Sequence, residues 1–413
     1  MAKLIKKVSN LTVFCPIHGL IEMSPLTVKI LNTPEMQRLR DLKQLGAIYY
    51  VFPSGTHSRL EHSIGVSHLA REMTKKLQRE HPDMEISDRM VELIGIAGLV
   101  HDIGHGPFSH LYDHYVKDDD EPEHEERGLK MFRDICARES LGLSEEDVED
   151  ICLMIDPSGE KKYNWKYQIV ANKSCDIDVD KIDYIQRDSY HLGIPHTGEM
   201  NRLIQMVRIN KTDKGNELTW DRKIEFDIYS LFANRYRLHR QVYQHHTVCA
   251  FEFIIIKIME KLRDVYNVSL ATETDTIVSQ FCYSNPEDEL SKAMMQREHP
   301  HMYDELVLID KQKESYKGFF HFDEGIILED IKIGFVSGDK ENPLKNVNYY
   351  NGKELHPNNT FKLEPGKSSF IIPDQFQEII LRMYALNEDV PLESLESAWK
   401  ELKDHYESKY VRM

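Results

Sequence analysis

The residues with the most chemistry to offer lie between Gly98 and Asp113, GLVHDIGHGPFSHLYD, where His101 and Asp102 stand side by side and His105 follows one turn on. A neutral imidazole and a carboxylate at the end of an apolar helix can enter the shell of one divalent cation, because the last turn splays neighbouring side chains toward a common point. Gly104, Gly106 and Pro107 are expected to end that helix, leaving the histidines at a mouth and not in a core. The window also reads as a helix end with solvated histidines. Distant segments must supply further ligands.

Several do. In HSRLEH (57 to 62), Arg59 and His62 share a first helical turn, which suits a metal ligand beside a phosphate clamp as well as it suits a polar helix start. In DIDVDKIDYIQRD (176 to 188), Asp180, Tyr184 and Asp188 recur at i, i+4 and i+8, with Lys181 at the edge, a face costly to bury for structure alone. A calcium loop is the other reading of its aspartates, but the EF-hand glycine and closing glutamate are missing. Arg235, His239 and Tyr243 repeat the spacing, with Arg240 and Gln244 one position on. That stripe suits phosphates and a sugar, or an exposed face paired with acidic neighbours.

Together the motifs offer His62, His101, Asp102 and Asp180 to one cation. Two imidazoles with two carboxylates suit Mn, Fe, Zn or, less naturally, Mg, and such an ion would polarise a phosphoryl oxygen and hold or activate water. His105 and His124 are left as general acid or base candidates, and Asp113 could orient a catalytic histidine. His124, beside three glutamates, also reads as a surface residue. Arg59, Lys181, Arg235 and Arg240 would balance a polyphosphate.

The elements that must position these groups are mainly helical. Leu11 to Phe14 reads as a strand, and Thr33 caps a helix from Pro34 to Leu45 that ends at Gly46. Leu60, Ile64 and Leu69 give the segment from Arg59 helical periodicity, Ser87 caps the helix that delivers His101, and SEED (144 to 147) resembles a capping box. NKTDKGN turns a hairpin between Val207 and Phe226, after which a long helix starts near Asp227. Beyond residue 266 short strand-like runs (IKIGFVS, VNYY, FKLEP, SSFIIP) precede two amphipathic helices, Asp374 to Leu386 and Leu392 to Tyr410. The expectation is a mainly α chain, with a helical catalytic core over 1–265 and a smaller α+β lobe over 266–413 packed on it.

Composition narrows the class. A chain of 413 residues with 41% hydrophobic content can bury a sizeable core. No apolar run approaches the ~18 to 20 residues of a membrane span, and MAKLIKKVSN lacks a secretory pattern. Six scattered cysteines form no Cys-x-x-Cys pair and read as reduced thiols. A soluble intracellular protein is expected. A net charge of -17 disfavours a surface for long duplex nucleic acid, although local cations can still hold a small anion.

HSRLEH, GLVHDIGHGPFSH, HEERG (124 to 128), DVDKIDYIQRDSYHLGI (178 to 194) and RYRLHRQVYQHH (235 to 246), in that order, resemble the HD superfamily. More narrowly they are similar to the catalytic core of the sterile-alpha-motif and HD-domain-containing deoxynucleoside triphosphate triphosphohydrolases, without the sterile-alpha-motif domain, over about Leu11 to Leu386. The resemblance implies a helical fold and release of intact triphosphate from a deoxynucleoside triphosphate by attack at the α-phosphorus. It places the metal ligands on His62, His101, Asp102 and Asp180, and active-site histidines on His105 and His124, with Asp113 supporting. It puts His110 near the substrate, Gln44 and Leu45 against the deoxyribose, and Tyr184, Asp188 and Tyr243 on the sugar and its 3'-hydroxyl. Arg59, Lys181 and Arg235 fall on phosphate contacts, and Gln244 near the base. A second metal would arrive with the substrate phosphates, and a homo-oligomer, dimer or tetramer, is implied.

Where the family reads an activating guanine nucleotide with an acidic residue and a lysine, this chain has Asn32 and Leu11, although Gln37 and Arg40 are kept. At a second nucleotide pocket Lys223 and Arg202 are kept, but Asp227 replaces a neutral amide. Nucleotide-dependent assembly is therefore expected to be altered or absent. Two rival readings stand beside the main one: an HD-type nucleotidase or phosphodiesterase, which leaves the sugar face unexplained, and a non-catalytic protein binding nucleotide or single-stranded nucleic acid.

Overall fold

The computed structural model describes residues 11–308, 325–336, 342–352, 359–363 and 376–410. The hairpin β1 (Leu11–Cys15) and β2 (Gly19–Met23) opens the chain. Helix α1 (Pro25–Leu31) follows, its first turn capped by Ser24, which accepts from the Thr27 N–H at 3.1 Å. Helix α2 (Pro34–Arg38) stops well short of the expected Leu45. Past Arg38 the backbone finds tertiary partners instead: the Lys43 N–H donates to Asp275 at 2.7 Å, and the Gln44 N–H to the His57 carbonyl at 2.9 Å. Thr33 does sit at the cap position, but its hydroxyl donates back to the Ile30 carbonyl.

The central pair is α3 (Arg59–Glu80), begun by a Ser58/Glu61 capping box, and α4 (Asp88–Val100), begun by Ser87. Then come α5 (His124–Arg138), α6 (Glu145–Ile155), capped by Ser144 and Asp147, and α7 (Val179–Leu192), whose first turn is held by Asp178. Helix α8 (Met200–Gln205) precedes the expected hairpin β3 (Val207–Lys211) and β4 (Asn216–Asp221). Helix α9 (Glu225–Leu238) continues through a wide turn, His239–Tyr243, to α10 (His246–Asp264), α11 (Thr276–Ser284) and α12 (Glu289–Gln296). One continuous core of buried side chains runs through Leu60, Ile94, Ile182, Leu231 and Ile255.

Toward the C-terminus, β5 (His301–Leu308), β6 (Ile326–Gly334), β7 (Tyr349–Tyr350), β8 (Gln377–Ala385) and α13 (Leu392–Tyr410) complete the described elements. The stretch expected as a helix over 374–386 is mostly β8, the middle strand of an antiparallel sheet ordered β5-β8-β6. Its residues are covered on both faces. Ile380 and Tyr384 pack with Cys249 and Phe253 of α10, while Met383 packs with Leu395 and Trp399 of α13. A run buried on both sides carries no period-2 signal, so periodicity could not separate strand from helix there. Tyr349 pairs in parallel with Trp220 of β4, which ties this part to the helical body. Of the other runs, IKIGFVS lies largely in β6 and VNYY ends in β7, whereas SSFIIP lies outside the described residues. The chain is mainly α-helical, with its sheets small, as expected.

Candidate active site

The end of α4, the start of α3 and the start of α7 converge on one point. His62 Nε2 lies 3.0 Å from Asp180 Oδ1, and His101 Nε2 lies 3.6 Å from the same oxygen and 3.4 Å from Asp102 Oδ1. Asp102 Oδ2 is 3.8 Å from His62 Nε2 and accepts from Arg59. The ligand atoms of His62, His101 and Asp180 all fall within 4.8 Å of one another.

Both imidazoles are held by their far nitrogens. His62 Nδ1 is 2.8 Å from Asp183 Oδ2, and His101 Nδ1 is 2.9 Å from the Gly98 carbonyl. Donation from Nδ1 leaves each Nε2 with a lone pair aimed inward. His101 Nε2 makes no protein hydrogen bond among the described residues although it is buried. Burial disfavours charge on His62, but its bonds to Asp180 and Asp183 outweigh this and push it up to about 10, so the surroundings favour a positive charge at this spot. Inward lone pairs, carboxylates and a field that favours a cation fit a divalent ion.

A second cluster adjoins the first. His105 and His124 stack with ring centroids 4.0 Å apart, and His105 Nε2 is 3.4 Å from Asp102 Oδ1. His124 Nδ1 lies 3.0 Å from Asp113 Oδ2, while Arg127 donates to Asp113 Oδ1 at 2.7 Å. Burial first, and then the Arg59 charge, keep His105 well below its usual range and therefore neutral. Burial would raise Asp113, but His124 and Arg127 hold its carboxyl well below the carboxylate range. Gly104 makes the approach of α5 possible, because a Cβ there would stand 2.1 Å from the His124 carbonyl and 2.4 Å from the Gly128 nitrogen.

Both clusters open on a cavity of about 550 Å³. Gln44, Leu45, Arg59, His110, Lys181, Tyr184, Asp188, Arg235, Tyr243 and Gln244 all line it, with His62, Asp102, His105, His124 and Asp180. The cations are pre-positioned by acceptors: Arg59 also donates to Ser109 at 2.8 Å, Lys181 to Asp178 at 3.0 Å, and Arg235 to the Gly334 carbonyl at 2.7 Å. Arg240 is turned to Glu305, 2.7 Å away, and to Glu378 on the C-terminal sheet, and does not line the cavity.

Residues 59–188 match the HD domain model. The chain is 31% identical to the deoxynucleoside triphosphate triphosphohydrolase SAMHD1 of Gallus gallus, an alignment covering 91% of this chain and 72% of that protein. The chain belongs to the SAMHD1 family. The SAMHD1 homolog of Dictyostelium discoideum is 32% identical over 94% of this chain and 80% of its own length. The putative HD domain-containing protein L394 of Acanthamoeba polyphaga mimivirus is 40% identical over 65% of this chain and 61% of its own. The family resemblance read from the five ordered motifs is thus borne out.

Around the site of this SAMHD1-family chain stand residues the motifs did not single out. Asp183 receives His62, His18 at 2.6 Å and a two-pronged Arg187 at 2.8 and 2.9 Å. Its spacing from Arg187, four residues along α7, was a visible hint of a pair, but its contact with His62 spans 121 positions. Asp275 accepts from the backbone of Lys43 and Phe108, and Arg38 donates to the carbonyls of Ile103, His105 and Glu273. Both brace the loops that carry Gln44 and His105. Phe108 and Ser109 adopt positive φ, 53° and 54°, in the turn where Ser109 accepts from Arg59.

Proposed function

We propose that this chain hydrolyses deoxynucleoside triphosphates to deoxynucleoside and inorganic triphosphate, by attack of water at the α-phosphorus. His62, His101, Asp102 and Asp180 would hold one divalent cation. When bound, that cation supplies Lewis-acid polarisation and charge neutralisation at the phosphates. The observation that carries the reading is the meeting of these donors with the His105/His124/Asp113 cluster in a cavity walled by Arg59, Lys181 and Arg235.

The side chains divide the work. Arg59, Lys181 and Arg235 draw the triphosphate in and orient it. Neutral His105 is suited to accept a proton, and His124, oriented by Asp113, to pass one to the leaving 5'-oxygen. Tyr243 keeps its proton, because burial and then the neighbouring Asp188 push its hydroxyl well above the usual range. Asp188 and Tyr243 then present an acceptor and a hydroxyl to the sugar's 3'-hydroxyl, while Leu45 and Tyr184 close around the 2' carbon. A ribose would lose fit there and bury an unpaired hydroxyl, a difference of about 1–3 kcal/mol.

Incubation with each dNTP and rNTP plus Mg or Mn, followed by chromatography, tests this. Intact triphosphate with deoxynucleoside is expected. Pyrophosphate or orthophosphate as first product would favour the nucleotidase or phosphodiesterase reading, and no turnover with any ion the binding-protein reading. Arg202 is paired with Asp227 at 2.7 Å, which supports a diverged second nucleotide pocket. Turnover without added GTP is therefore expected; an enzyme inert until GTP assembles it into tetramers contradicts this part.

A further inference from the structure

His57 is buried beside the sugar wall. Its Nε2 lies 2.7 Å from Asp188 Oδ1, and the other oxygen of Asp188 accepts from the Tyr243 hydroxyl. The two donors come from different elements, the loop before α3 and the turn after α9. Rotation of the carboxylate about its Cβ–Cγ bond would break both bonds. Each carboxylate oxygen has room for two donors, so one acceptor direction per oxygen is left for a ligand. The His57 ring is itself fixed, stacked on His191 with centroids 4.3 Å apart and planes 10° from parallel. Its backbone carbonyl accepts from the Gln44 N–H at 2.9 Å. One buried residue thus ties together Asp188 and Gln44, on opposite sides in sequence and both on the cavity wall.

We propose that His57 is a positioning residue of the sugar subsite: by fixing the Asp188 carboxylate in one orientation it sets the preference for nucleotides that carry a 3'-hydroxyl over those that lack it. The inference rests on the reading of Asp188 as the partner of the 3'-hydroxyl. Removing the Nε2 donor lets the carboxylate turn toward Tyr243 and weakens the grip on the hydroxyl, while the phosphate contacts are untouched.

The readout is the ratio of kcat/KM for a dNTP to that for the matching 2',3'-dideoxynucleoside triphosphate, measured in wild type, H57L, H57Q and D188A. Wild type is expected to favour the dNTP by at least about tenfold. H57L should lose most of that ratio through a raised KM for the dNTP, with the dideoxy substrate little changed. H57Q, whose amide nitrogen can stand near Nε2, should keep the ratio within about threefold. If D188A loses the preference and H57L keeps it, the role of His57 is overturned alone. If wild type shows no preference, or D188A keeps it, the sugar reading falls instead. A merely structural His57 would lower both substrates in parallel, which also overturns the proposal. Should H57L not fold, H57N, whose amide falls short of Asp188, is compared with H57Q; equal ratios in the two overturn it.

Discussion

Two walls of the same cavity treat acidic side chains in opposite ways. On the wall made by α3, the end of α4 and α7, burial works to raise Asp102, yet the adjacent His101, the Arg59 guanidinium and the hydrogen bond from His105 hold it well below the carboxylate range. On the wall made by α10 and β6, burial and the neighbouring Glu329 push Glu252 up to about 8. Burial likewise raises Glu329, with Arg382 3.8 Å away and the Tyr384 hydroxyl donating at 2.9 Å. The residue types are alike, and the density of nearby cations decides the outcome. One wall carries fixed charges that suit a polyanion and its counter-ion. On the other, Glu252 holds its proton at pH 7, which takes one negative charge out of the lining.

The sharpest way to break this picture is to separate the charged wall's proposed metal ligands from its proposed acid–base pair. His105→Ala and His124→Ala are each expected to lower kcat by about 10²–10⁴-fold, with the metal content of the purified protein unchanged by elemental analysis. A parallel loss of metal would place these histidines among the ligands and dissolve the division of labour. The next largest effect concerns Asp183. Asp183→Asn should weaken divalent-ion affinity by about 10–100-fold, read by calorimetric titration, because His62 loses the carboxylate that fixes its Nδ1 proton. Gly65→Ala should act in the same direction, since a Cβ there would stand 2.0 Å from Asp183 Oδ1. Unchanged affinity in both would mean that His62 orients itself.

The two walls also differ in how much of them could be read from the chain alone. His101, Asp102 and His105 sit within five residues, and Asp180, Tyr184 and Asp188 repeat at one helical spacing, so local patterning exposed that wall. Ser87, read as a cap, announced the helix that delivers His101 and Asp102. The bracing contacts were invisible. Asp275 reaches Lys43 and Phe108 across 232 and 167 positions, and a buried carboxylate that accepts only backbone N–H groups leaves no partner pattern. Glu252 hides in an apolar helix as one acidic residue among FEFIII, where it reads as an interruption. Glu329 lies on β6, and the strand paired beside it, β8, was misread as helix for the same reason that it is stable: both faces are covered.

Glu252 gives the smallest effect and the most direct reading of the wall made by α10 and β6. Its folded-state value of about 8 lies above the ~4.3 of an unfolded glutamate, so between those values the folded protein holds a proton that the unfolded chain has released. Stability linked to this group is complete below about pH 4.3 and is lost as pH rises toward 8. Cavity water screens part of the roughly 5 kcal/mol that such a shift represents, leaving about 2 kcal/mol, or about 2–4 °C in melting temperature. Glu252→Gln should therefore melt higher than wild type at pH 8.5, with the gap closing toward pH 5. If the gap is the same at both pH values, Glu252 is ionised in the folded state, and the contrast between the two walls fails.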